Sequence, residues 1–385
     1  MEVVLLRGLS EDGSWSMRRY ARELAGALLT IGDPSIQVRE FAPRTPVFAQ
    51  RLMGRAYGKR LDSALERYVN YPRKVITLPG DVYHVLDHGY GQVVCGLDAS
   101  RTVVTVHDVI PMLASTGVIP MQIPKTVALT FGFRLKCAAR AAMLISDSEA
   151  TKKEVVRFTN ISPDRVAVVP LGVSALFRPA DDPCDRATVR RMLGLPEKAP
   201  VVLHVGGAAY KNRGMLVRVI CKLRQATGGD IRLILIGPRL SRAEIDGFRQ
   251  EAVEPFVTCR ESIKCDDELL EYYHSADVLA FPSMWEGFGW PPLEAMASGL
   301  PVVAARAGAL VEVVGDAGVL VEPCDEEGFG RAIWDVLTLR LLRDMLVERG
   351  LKRCRMYSWE TTAISTIQVY KQVAKAGAPR LTVRQ

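Results

Sequence analysis

The chain is predicted to be an α/β protein of two parallel-sheet domains, and three observations lead there. Strand-like apolar runs alternate with amphipathic helices along its whole length. The runs are continuous Val, Ile and Leu, the pattern of strands buried on both faces. Helices between such strands imply crossover connections and parallel sheets. A length of 385 residues favours two domains over one.

The first series of strand candidates is residues 3–6, 82–86, 102–106, 143–146 and 166–169. The second is 201–205, 231–236, 256–258, 278–281, 301–304 and 319–321. A first helix is marked by Met17, Tyr20, Ala21, Leu24 and Leu28 on one stripe, with Arg18, Arg19, Arg22 and Glu23 off it. Ser146-Asp-Ser-Glu149 has capping-box spacing and should open a helix over 150–158. The stretch Phe177-Arg-Pro-Ala-Asp-Asp-Pro-Cys184 separates the two series and reads as a linker. The expected domains are therefore 1–180 and 185–360, each large enough for its own core. A helical segment closes the chain within 361–385.

Composition is that of an ordinary globular protein, with 48% hydrophobic and 24% charged residues. No run of about 18 apolar residues is present, so no spanning helix is expected. The start, Met1-Glu-Val-Val-Leu-Leu-Arg7, reads as a first strand, too short and too acidic for a secretory signal. Eight cysteines form no Cys-x-x-Cys, which suits buried free thiols in a reducing cytoplasm. Cys259, Cys265 and His274 have no zinc-ligand spacing, and no metal is expected. The net charge of +7 is uneven. Arg44, Arg51, Arg55, Lys59, Arg60, Arg67, Arg73 and Lys74 face only Asp62 and Glu66 in their segment. Such a patch suits an anionic membrane surface or a phosphorylated acceptor, and a solvated helical face is the alternative. Without aromatic interleaving or a binding motif, nucleic acid is not expected.

The most specific stretch is Glu286-Gly-Phe-Gly-Trp-Pro-Pro-Leu-Glu294. It follows a strand-like run and leads into a helix expected over 291–298, which Pro291 and Pro292 suit as a start and Gly299 as a stop. Glu286 then sits at a strand's C-terminal end and Glu294 in a helix's first turn. Ligands bind at that edge of open α/β sheets. Helix-start amides there favour phosphate.

In its full context, EGFGWPPLEAMASGLPVV, this segment resembles the retaining nucleotide-sugar glycosyltransferases of the GT-B fold, the large family that includes sucrose-phosphate synthases and bacterial mannosyltransferases. The resemblance implies two Rossmann-like domains facing across a cleft, and a last helix that returns to the first domain. It implies transfer of a hexose from a UDP- or GDP-sugar to a hydroxyl acceptor, with no separate cofactor. No Asp-x-Asp motif is evident, so fixed cations and helix dipoles would replace a metal.

The resemblance also assigns residues. Glu286, with the amides of Phe288 and Gly289, would bind the transferred sugar, and Glu294 the ribose. Lys211, in His204-Val-Gly-Gly-Ala-Ala-Tyr-Lys-Asn-Arg213, would face the diphosphate, with Gly206 and Gly207 letting the backbone approach. Relatives often carry an Arg before that Lys or after the Gly. Tyr210 and Gly207 or Ala208 stand there, so Arg213 is the candidate second cation. A first-domain loop would approach the phosphate through Gly13 or Ser16, with Trp15 beside the acceptor or in the core. His107, after a buried strand, would orient the sugar, and Asp108 would support the loop. The base would lie near Gly237-Pro238 and Cys259-Arg260-Glu261. His84, His88 and Tyr90 are further contact candidates. Two rival readings are a nucleotide-sugar 2-epimerase of the same fold and a non-catalytic sugar-binding scaffold.

Overall fold

The computed structural model describes residues 1–9, 15–44, 48–245 and 255–377. The chain divides into two compact units. Unit 1 holds residues 1–118, 122–172 and 359–385, and unit 2 holds 119–121 and 173–358. The division falls between Gly172 and Val173, ahead of the Pro- and Asp-rich stretch.

Unit 1 is built on a six-stranded parallel sheet in the order β2-β1-β3-β4-β5-β6. Its strands are β1 (Glu2–Leu6), β2 (Gln37–Phe41), β3 (Val82–Val85), β4 (Thr102–Val106), β5 (Met143–Ser146) and β6 (Val166–Val168). The central strands are buried end to end, as their unbroken apolar runs require. Strand β2, Gln-Val-Arg-Glu-Phe, is not among the sequence candidates. It is a half-exposed edge strand that pairs only with β1, so it needs no apolar run.

Among the helices, α1 (Trp15–Ile31) buries Tyr20, Ala21, Leu24 and Leu28 against the sheet, together with Arg19 from outside the apolar stripe. The basic segment folds into α2 (Phe48–Met53), α3 (Arg55–Leu65), a wider-wound π turn over Glu66–Asn70, and α4 (Tyr71–Ile76). Helix α5 (Ile110–Ser115) follows β4, and α6 (Lys125–Ala138) packs below the 3₁₀ stretch His88–Gly96. Helix α7 (Glu149–Thr159) begins with Ser148, whose hydroxyl accepts the Thr151 amide at 3.1 Å. The cap is thus Ser148 and not Ser146, which is the last residue of β5. The helix Trp359–Gly377 belongs to unit 1 and packs along α1. Its Thr362 hydroxyl donates to the Pro170 carbonyl (2.8 Å), and Lys371 pairs with Asp33 (2.8 Å).

Unit 2 carries a second parallel sheet in the order β12-β11-β10-β7-β8-β9. Its strands are β7 (Val201–Val205), β8 (Arg232–Ile236), β9 (Val257–Arg260), β10 (Val278–Phe281), β11 (Val302–Ala305) and β12 (Val319–Val321). Helices α8 (Pro183–Met192) and α9 (Arg213–Thr227) flank β7 in sequence. The strand order reverses between β7 and β10, which are neighbours in space and separated by two strands in sequence. This is the Rossmann arrangement, and its switch point is the binding crevice of such sheets. Unit 1 has its own reversal between β1 and β3.

Seven described cysteines are free thiols. Cys95, Cys265 and Cys324 are exposed, contrary to the expectation of buried thiols. No helix among the described residues is long and apolar enough to cross a membrane.

Candidate functional site

In unit 2 the loops that leave β7 and β10 meet at the switch point. The loop after β7 closes in a short 3₁₀ turn, Ala209–Lys211, and enters α9 through Asn212 in the left-handed region (φ 57°). The loop after β10 is tied to it by the Met284 amide, which donates to the Tyr210 carbonyl at 2.8 Å. Lys211 Nζ lies 2.6 Å from Glu286 Oε1, and both side chains are buried. The ammonium also stands 4.6 Å from the Phe281 ring centroid, a cation over an aromatic face. Lys211, expected to face the diphosphate, is a buried charge held by a buried carboxylate.

Gly206 and Gly207 make this packing possible. Gly206 (φ 121°) leaves room for the Lys211 stem, because a Cβ there would lie 3.0 Å from Lys211 Cε. A Cβ on Gly207 would lie 2.2 Å from Pro238 Cδ. Both glycines thus serve close contacts within the protein. Arg213 is not a free second cation. It is buried, pairs with Glu244 at 2.7 Å and donates to the Pro238 carbonyl at 2.6 Å.

The loop from Glu286 runs into the helix Trp290–Ala297, with Gly289 at its N-cap (φ 106°). Glu294 is the fifth residue of that helix and lies in its second turn, not its first. It is buried, and its Oε2 accepts the Tyr273 hydroxyl at 2.8 Å. The Glu286 carbonyl accepts the Ala309 amide at 3.0 Å. Gly308 (φ 52°) is seated against it, and a Cβ there would lie 2.5 Å from that oxygen. Phe288 is buried against Tyr357 in an edge-on contact, ring centroids 5.8 Å apart. The amides of Phe288 and Gly289 have no acceptor among the described residues. At the ends of β8 and β9, Arg260 donates to Tyr272, and the exposed Glu261 pairs with Arg239 at 2.6 Å.

In unit 1, the in-step register of β4 and β5 pairs Val106 with Ser146, which brings His107 beside Asp147. His107 Nδ1 lies 2.8 Å from Asp147 Oδ2, and Nε2 lies 2.9 Å from the Leu86 carbonyl. Burial alone would lower the pKa of His107. The Asp147 charge, its hydrogen bond and the Leu86 carbonyl outweigh that and raise it to about 9. With acceptors at both nitrogens the ring is an imidazolium that donates twice. Both ring nitrogens are thus engaged inside unit 1. The Asp108 carboxylate accepts the Ile110 amide at 3.0 Å and holds the following loop, as expected.

The other contact candidates in unit 1 are structural. His84 is buried inside β3, 2.7 Å from both the Tyr370 hydroxyl and the Thr105 hydroxyl. Burial and the nearby His107 hold its pKa down at about 3, so it is neutral. The buried Tyr90 hydroxyl accepts from the Leu9 amide and from Arg67, each at 3.0 Å. The buried His88 ring accepts the His107 amide at 3.3 Å. Trp15 is exposed at the start of α1, with Arg19 over its ring, and is not a core residue. Gly13 lies outside the described residues. At the β1/β3 switch point a cavity of about 180 Å³ is lined by Arg7, Gly8, Met17, Arg18 and Asp87 among others. A larger hollow in unit 2, about 300 Å³, lies beside Asp277 and Pro301, at the opposite edge of the sheet from Glu286. There Asp277 is held by Arg186 and Arg190, a structural ion pair.

Sequence reasoning missed Asp147, Tyr273, Gly308 and Glu244. Asp147 carried a signal, since it directly follows a buried strand, but it was absorbed into a helix-capping pattern. The other three carry none, because each is distant in sequence from its partner.

Residues 199–338 match the family model described as glycosyl transferases group 1. The chain is 32% identical over 253 residues to a D-inositol 3-phosphate glycosyltransferase of Nocardioides sp., covering 60% of this chain and 54% of that protein. It is 30% identical over 240 residues to O-antigen chain mannosyltransferase B of Escherichia coli, covering 60% of this chain and 61% of that one. The chain thus spans little more than half the length of these relatives. Sucrose-phosphate synthase from Thermosynechococcus elongatus superposes with a TM-score of 0.73 at 24% identity, over 98% of this chain and all of that one. Anabaena Alr3699/HepE, in complex with UDP and glucose, superposes with a TM-score of 0.72 at 17% identity, over 97% of this chain and all of that one. The fold is GT-B, and the matched residues 199–338 contain the whole Lys211–Glu294 constellation.

Proposed function

We propose that the chain is a retaining glycosyltransferase that moves a hexose from a nucleotide-diphosphate sugar to a hydroxyl acceptor without a metal ion. The observation that carries this reading is the Lys211–Glu286 pair, 2.6 Å apart, at the β7/β10 switch point of the group 1 domain. The relatives' names and the UDP and glucose held by a neighbour of the same fold support it.

In this reading Glu286 holds the buried ammonium in place before substrate arrives. Phosphate oxygens then take over Lys211, and Glu286 turns to the sugar hydroxyls. The Phe288 and Gly289 amides donate to the incoming sugar or its phosphate. Glu294, oriented by Tyr273, accepts from the ribose. Preorganised donors of this kind stabilise charge on the departing diphosphate. The bond from the anomeric carbon to the phosphate oxygen breaks, and the acceptor oxygen bonds to that carbon on the same face. The acceptor's proton passes to the leaving phosphate. The acceptor is a glycan, a lipid-linked sugar or a small molecule. The reading places the protein in the cytoplasm, in polysaccharide assembly, with peripheral contact to the inner face of a membrane.

A thermal-shift screen of UDP-, GDP- and ADP-sugars tests the donor, because a ligand bound only by the native state raises the melting temperature. One of them should do so, and NMR of its product should show the donor's anomeric configuration kept. No shift with any nucleotide diphosphate would favour the scaffold. An epimerised nucleotide sugar formed from donor alone would favour the epimerase.

A further inference from the structure

We propose that the helical excursion of unit 1, residues 48–76, is a docking surface for an anionic lipid bilayer. The sequence sets its cations against Asp62 and Glu66, but both acids are folded inward. Asp62 is buried and accepts the amides of Ala49 and Gln50 at 2.9 and 3.0 Å, capping α2 from α3. Glu66 is buried and takes Lys74 at 2.6 Å and Asn70 at 3.0 Å. Among the described residues, the segment's outer surface therefore carries no carboxylate. Arg51, Lys59, Arg60 and Arg73 are exposed on it.

The apolar residues point the other way from those of an ordinary surface helix. Helix α3 turns Gly58 and Asp62 inward, and a Cβ on Gly58 would lie 2.4 Å from the α2 backbone. Its Tyr57, Leu61 and Leu65, at i, i+4 and i+8, share one face and are exposed. Phe48, Tyr68 and Ile76 extend the exposed apolar surface, with Phe48 72%, Tyr57 77% and Ile76 65% accessible. A stable soluble helix buries its apolar stripe. Aromatic and aliphatic side chains set among exposed cations are instead the pattern of a helix lying in a bilayer interface. Tyrosine is favoured at headgroup depth. The positive charge complements anionic headgroups and selects them over zwitterionic ones. The surface is independent of which reaction the chain catalyses.

Flotation of the full chain with vesicles tests this. Phosphatidylglycerol-containing vesicles should carry the protein at low salt, pure phosphatidylcholine vesicles should not, and high salt should release it. R51Q/R60Q/R73Q should bind on the order of 100-fold more weakly, given about 1 kcal/mol per cation at such a surface. L61S/L65S should lose binding to the same vesicles. Circular dichroism and the nucleotide thermal shift, read without lipid, should match the parent chain in both variants. No flotation, equal flotation with both lipids, or full binding by either variant overturns the proposal. So does a dimer, seen by light scattering without lipid, that L61S/L65S dissolves, since the face would then belong to a second copy.

Discussion

Lys211 and His107 are buried cations, each paired with one carboxylate. Breaking such a pair by removing one partner strands the other charge. K211A should therefore destabilise the protein by roughly 3 kcal/mol. K211M/E286Q, which removes both charges, should recover most of that stability while donor-induced stabilisation stays absent. Urea unfolding with and without nucleotide sugar separates the two effects, and a K211A variant as stable as the parent would show that the pair does not form. For His107 the sign follows from the raised pKa, about 9 in the folded chain against 6.5 unperturbed. The proton is held more tightly when folded, so this stabilisation is complete below pH 6.5 and fades as pH rises through 9. The difference is roughly 3 kcal/mol at 1.36 kcal/mol per pKa unit. Urea midpoints of parent and H107Q at pH 6 and 9.5 should converge at the higher pH.

Elements place these residues because two parallel strands in register deliver their next residues side by side. That is how β4 and β5 join His107 to Asp147, and how the loops after β7 and β10 join Lys211 to Glu286. The glycine loops must then pack without side chains. G207A puts a methyl 2.2 Å from the rigid Pro238 ring, so the β7 and β8 loops must part. It should cost roughly 2 kcal/mol, as overpacking does, and weaken donor binding. The control is G330A in the helix Glu326–Thr338, where a Cβ meets nothing nearer than 3.9 Å and should be neutral or slightly stabilising. Equal melting temperatures for G207A and the parent would show the loop to be slack. Element types were readable from the sequence wherever both faces are buried. The strand candidates there needed only small adjustments at their ends, as with residues 256–258 against Val257–Arg260. Strand β2 was hidden because an edge strand has no apolar run to show.

Across the whole molecule, the helix Trp359–Gly377 completes the core of unit 1 from the far end of the chain. Ala363, Ile367, Tyr370 and Val373 are buried there, and Tyr370 meets His84. A chain ending at Ser358 should lose the calorimetric transition of unit 1 and keep that of unit 2, whose sheet is continuous in sequence. Retention of both transitions would show that unit 1 folds without that helix. The alternation of apolar runs and amphipathic helices was sufficient for the α/β class, because burial of strands on both faces is a local property of composition. The Glu286–Glu294 context, the site loop and its glycines were likewise visible, since they lie within short stretches. What the sequence could not decide was pairing at a distance. That Lys211 is bound by Glu286, Arg213 by Glu244, His107 by Asp147, and that Asp62 and Glu66 turn inward, follows only from strand order, register and helix packing. Those bring together groups that the sequence does not place side by side, and so determine which charges face solvent or substrate and which are consumed inside.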